Sequence, residues 1–199
     1  MNVNPFPKRG VPFARYLASG IATFLFVGCS TVTLISDYDA ETDKQLTALQ
    51  QSLDGFISKM TAETPKWDKQ KRSPKNSYAA QKKFYADFDE KLRLLDFRVQ
   101  SIPKNSKTEK LVSDIRTSVL LNEADEKRCE EDNSGKGIVL KDGEETKLNS
   151  LQSIHCLEIN KTEGPRRAVL EIAQTNINQV IRSALALELA KKQGTESNK

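Results

Sequence analysis

This chain has little of what most enzyme sites are built from. Its 199 residues include one His, one Trp, two Met and three Cys. A single His leaves almost no material for histidine-rich metal sites or His-based triads. There is no P-loop, no dinucleotide-binding glycine pattern, no Gly-x-Ser-x-Gly and no Cys-x-x-Cys-His. Nine Gly and seven Pro exclude a collagen-like or glycine-rich chain, and 7% aromatics are sparse for a nucleic-acid stacking surface. What is present is charge, at 29% of residues, beside 37% hydrophobic residues. That balance fits one folded domain rather than a multi-span membrane protein or a fully disordered chain.

Acid is missing from the start of the chain. Lys8, Arg9 and Arg15 are its only charges before Asp37, so residues 16–36 are 21 uncharged positions. Their first part, residues 16–28, is an apolar run that ends Phe26-Val27-Gly28-Cys29-Ser30. A basic start, a short apolar run and small residues before a break describe a secretory signal peptide. The four residues Phe26-Val27-Gly28-Cys29 resemble the lipobox of bacterial lipoproteins, with Phe26 standing where Leu is usual. That resemblance implies diacylglycerol on the Cys29 thiol, cleavage before Cys29, and acylation of the new amino group. Ser30, rather than Asp, resembles the outer-membrane type. An uncleaved signal anchor and ordinary signal-peptidase cleavage elsewhere are the alternative readings. As an anchor the stretch would be a weak span, because Ser19, Gly20, Thr23, Gly28, Ser30, Thr31 and Thr33 interrupt it.

Removing residues 1–28 leaves 171 residues with 28 bases and 27 acids, a net charge of +1. The +4 of the whole chain therefore sits mostly in the leader, and no general electrostatic case for nucleic-acid binding remains. The expected organisation is a leader over 1–28, a lipidated Cys and short tether over 29–38, a helical domain over 39–194 and a disordered tail over 195–199.

The body reads as all-α, a four-helix antiparallel bundle. Leu46, Leu49, Leu53, Phe56, Ile57 and Met60 form one stripe, with Asp37, Asp39, Glu41 and Asp43 crowding its start. Tyr85, Phe88, Leu92, Leu95, Val99 and Ile102 are spaced by alternating threes and fours up to Pro103. A third helix is predicted from Ser106 or Thr108 to about Arg128, striped by Leu111, Ile115, Ser118, Val119 and Asn122. A fourth begins near Pro165, with Val169, Ile172, Ala173, Asn176, Ile177, Val180, Ala184 and Leu187 on one side. Ile181, Leu185 and Leu189 widen that face. Lys191 and Lys192 suit its C-terminal dipole, and Gly194 its stop. Asn122 and Asn176 are read as polar contacts inside the core.

Cys129 and Cys156 are the two remaining cysteines, and in an exported chain they are expected to pair. Their bridge would clip the long excursion between helices three and four, in which Asp142-Gly143 suggests a small β-hairpin over 138–148. His155 reads as a loop residue. The excursion is acidic, −5 over 123–145, but it lacks the ligand alternation of an EF-hand. The loop after the first helix is basic, +5 over 63–83. Within it Trp67, Lys69, Lys71, Arg72 and Lys75 are candidates for contact with a membrane or a partner.

The body also resembles, loosely, small helical envelope lipoproteins of unassigned activity. The resemblance rests on Ile35-Ser-Asp-Tyr-Asp39, Phe84-Tyr85, Pro103-Lys-Asn105 and Leu187-Glu-Leu-Ala-Lys-Lys192. It implies no catalytic residues. The expected role is a lipid-anchored structural or interaction component of the periplasmic face of the envelope, with an envelope protein as partner. A bundle that binds a lipid or small molecule is the other reading. No cofactor beyond the lipid on Cys29, no metal and no enzyme activity are expected, and the sequence is silent on oligomeric state.

Overall fold

The computed structural model describes residues 35–66, 72–130, 138 and 150–197, all within the compact unit Leu34–Lys199. The elements are α1 (Ala40–Glu63), a 3-10 turn (Pro74–Asn76), α2 (Tyr78–Ser101), α3 (Ser106–Val119), α4 (Glu123–Glu130), α5 (Leu151–Cys156), α6 (Glu158–Lys161) and α7 (Arg167–Ser197). The described residues form no strand; Ile138 makes one parallel bridge to Leu157, its N–H donating to Cys156 O at 2.8 Å. The predicted hairpin otherwise lies outside the described residues.

The local chemistry accounts for the long helices. Asp39 caps α1 by accepting from the Thr42 N–H, and Ser77 caps α2 by accepting from the Ala80 N–H. The α1 stripe is buried as its spacing requires, from Leu46 through Met60. So is the α2 seam from Tyr85 to Val99, while Ile102 is only half-buried. α1 packs on α2 and on α7, and α3 packs on the same two helices, so the four stripes close around one core. Phe56 and Phe84 stack face to face across the α1–α2 seam. Polar clasps reinforce two of the seams. Arg116 on α3 reaches Asp89 on α2 at 2.6 Å, and Gln174 and Asn178 on α7 both donate to Asp54 on α1.

Three expectations need correction. The third helix does not continue to Arg128. It ends at Val119, and Asn122 caps α4 instead, its Oδ1 accepting from the Asp125 N–H. Asn176 is exposed rather than in the core, as is Ile172, because the buried line of α7 runs through Leu170, Ala173, Ile177, Ile181 and Ala184. Gly194 does not stop α7, which continues helically to Ser197.

Cys129 at the end of α4 and Cys156 at the end of α5 are joined by a disulfide, with Cα atoms 6.1 Å apart. In a chain-entropy account a loop of this size contributes about 3 kcal/mol. Reducing the bond in urea, or replacing both residues by Ser, is expected to lower unfolding stability by about 2–4 kcal/mol. Coincident urea transitions of the oxidised and reduced chains would refute this.

Candidate functional site

Polar side chains gather inside the protein at two places, one at each end of the long helices. The first holds the N-terminal segment. Ser36 is buried; its N–H donates to Lys104 O at 3.0 Å and its hydroxyl to Asn105 Oδ1 at 2.8 Å. Lys104 adopts a left-handed φ of 62°, which turns the Pro103-Lys104-Asn105 corner so that its carbonyl meets Ser36. Asn105 begins α3 without capping it. Its side chain donates to Val99 O, the open end of α2, and its Oδ1 also accepts from Lys191 Nζ at 2.7 Å.

Lys191 is the centre of this cluster. Its ammonium is buried and donates to Asn105, to Thr108 Oγ1 at 2.8 Å and to Glu188 Oε1 at 2.6 Å. Thr108 in turn donates to Glu188. Three donors thus meet three acceptors around a fully buried ion pair. Lys191, expected only to suit the C-terminal dipole of its helix, is thus buried in an ion pair. Beside it, Arg98 on α2 forks both carboxylate oxygens of Asp39 at 2.6 Å, holding that carboxyl well below the usual carboxylate range.

The second cluster surrounds His155. Far from being a loop residue, His155 lies in α5 and is completely buried. Its Nε2 faces Asn76 O at 2.6 Å and its Nδ1 faces the Tyr85 hydroxyl at 3.0 Å. A carbonyl only accepts, so Nε2 carries the proton and Tyr85 donates to Nδ1. Burial pushes the ring down to about 4, so it is neutral at ordinary pH. Asn76 also donates to Met60 O and Thr64 Oγ1, closing the end of α1. Gly164 packs against Asn76 at positive φ, where a Cβ would stand 2.3 Å from Asn76 O. Next to this cluster, Gln152 donates to the Tyr78 hydroxyl and accepts from the Leu121 N–H. These residues border a groove of about 410 Å³, rimmed by Lys82, Asp89, Arg93 and Arg116. Both nitrogens of His155 are engaged and its ring is buried, so its tautomer and orientation are fixed.

Among the basic candidates, Lys75 is exposed on the 3-10 turn. Arg72 is turned inward, donating to Asn160 Oδ1 at 3.0 Å and Gly164 O at 2.6 Å. Trp67, Lys69, Lys71 and Cys29 lie outside the described residues. Among the described residues no group of His, Cys, Asp and Glu is placed to hold a metal, and no helix is long and apolar enough to cross a membrane. Neither buried cluster was expected from the sequence. The only available signal was the spacing, since Glu188 and Lys191 continue the line of Ile181 and Ala184.

Comparison with protein-family models, with curated proteins and with solved structures finds no match to this chain.

Two outcomes follow. His155 binds a proton in the unfolded chain below its ordinary 6.5 but not in the folded chain until about 4, so falling pH favours unfolding across that window. Stability should drop by about 2 kcal/mol by pH 5 and about 3 kcal/mol by pH 4. Urea titrations check the loss, and a ring that titrates near 6.5 in the native protein by NMR would refute it. At the other end, Lys191→Met strands the Glu188 carboxylate and should cost about 3–5 kcal/mol, most of it recovered in the Glu188→Leu, Lys191→Met double variant. Equal stability of Lys191→Met and the wild type would show that the pair is not buried in solution.

Proposed function

We propose that this chain is a lipid-anchored envelope protein: a four-helix antiparallel bundle of α1, α2, α3 and α7 with a disulfide-clipped excursion before α7. In this reading diacylglycerol and an N-acyl chain on Cys29 hold it to the periplasmic face of the outer membrane. There it serves as a structural or interaction component for an envelope protein, without catalysis of its own.

The observation that carries this reading is the distance between the lipobox-like string and the folded body. Cys29 stands seven residues before Ser36, and Ser36 is already bonded into the α2–α3 corner. Seven extended residues reach about 25 Å at most. A domain on so short a lead is suited to work at the membrane surface rather than deep in the periplasm. The antiparallel sense is supported by the contacts at that end, where the start of α1 meets the end of α2 through Asp39 and Arg98. There too the start of α3 meets the end of α7 through Asn105, Thr108 and Lys191.

The test is Cys29→Ala in cells. The wild-type chain is expected in the membrane fraction with the added mass of its acyl groups, and the variant in the soluble periplasmic fraction without it. A Cys29→Ala chain that stays fully in the membrane, or a wild-type Cys29 of unmodified mass, would overturn the proposal.

A further inference from the structure

Leu94 and Phe97 are the anomaly of α2. The other apolar side chains in its last three turns point inward, yet Leu94 is 63% exposed and Phe97 78% exposed. Three residues apart, they share the outer face of the helix. They also sit at a particular end. Arg98, the next residue, holds the Asp39 cap of α1, and three residues before that cap Ser36 receives the chain that leads back to Cys29. The exposed apolar pair and the exit of the N-terminal segment therefore lie toward the same end of α2.

We propose that Leu94 and Phe97 form a docking face that rests in the headgroup–acyl boundary of the bilayer carrying the Cys29 lipid. The inference builds on the lipid-anchor reading above. Two side chains fall far short of the roughly 800 Å² per partner that a stable protein interface needs. They suit a shallow interfacial contact, in which a Phe ring and a Leu sink a few ångströms while neighbouring cations stay among the headgroups. Lys91 and Glu90, one turn before Leu94, are exposed, as is Lys104 at the corner that follows α2. The lipid fixes the protein at high local concentration, so the face itself needs only a small affinity to set orientation. The basic residues around Lys75, at the start of α2, lie roughly 30 Å from Phe97 along the helix, at the end opposite the chain exit.

The full lipidated chain, reconstituted in phosphatidylethanolamine–phosphatidylglycerol vesicles, decides the matter. Phe97→Cys and Lys75→Cys are each labelled with an environment-sensitive fluorophore, the buried disulfide being left intact. The label at position 97 is expected to shift to the blue on vesicles and to be quenched by spin-labelled lipid, while the label at position 75 keeps its aqueous spectrum. A water-exposed label at 97 on a chain whose mass shows the acyl groups overturns the docking face and leaves the anchor standing. Quenching at 75 but not at 97 overturns it in favour of the basic end. An unmodified Cys29 in the same mass spectrum overturns the anchor reading and the docking face together.

Discussion

An ammonium group removed from water must find acceptors for its protons, and the end of the protein where the chain enters is arranged around that need. Lys191 finds Glu188, Thr108 and Asn105, which lie on α7, on α3 and at the corner before α3. Asn105 cannot then cap its own helix. It bridges instead to the end of α2 and to Ser36. One buried charge thus couples three helices and the entering segment, and a change in any of them reaches the others through shared atoms.

The opposite end solves a similar problem without charge. Asn76 closes the end of α1 and receives His155, and Gly164 allows the turn before α7 to approach it. Each end therefore has a buried asparagine in a corner, donating to the last carbonyls of the preceding helix. Asn105 uses both halves of its amide, whereas Asn76 donates through its amide nitrogen and accepts from His155 at its backbone carbonyl. The ionic end is the more sensitive to loss of a partner, and the histidine end is the first to respond as pH falls from neutrality, ahead of the Asp39 carboxylate.

The long helices were legible in the sequence because their apolar residues recur at threes and fours, and that spacing alone selects a face. The α1 and α2 stripes are buried nearly residue for residue. Cys129 and Cys156 were legible because the lipobox reading set Cys29 aside and left one pairing. The buried clusters were not. Glu188, Lys191 and His155 are types that ordinarily face water; Glu188 and Lys191 pair with each other, and partners distant in sequence complete each cluster. Thr108 and Asn105 lie more than 80 residues from Lys191, and Asn76 lies 79 residues from His155. Asn122 and Asn176 failed in the other direction, since a polar residue on an apolar line can equally mark a break or an outer edge. Leu94 and Phe97 fell outside the seam and carried no signal until the exit of the chain was located toward the same end of α2.

The disulfide has a consequence for how the molecule is made. Both sulfur-bearing residues are almost wholly enclosed, Cys129 at 2% and Cys156 at 0% exposure. Cys156 follows His155 directly, so the bond closes next to the innermost polar contact of α5. In the closed fold both thiols would be out of reach of an oxidant, so the bond forms either before the last packing step or when the chain opens. Afterwards the same enclosure shields it from reductants until the protein opens.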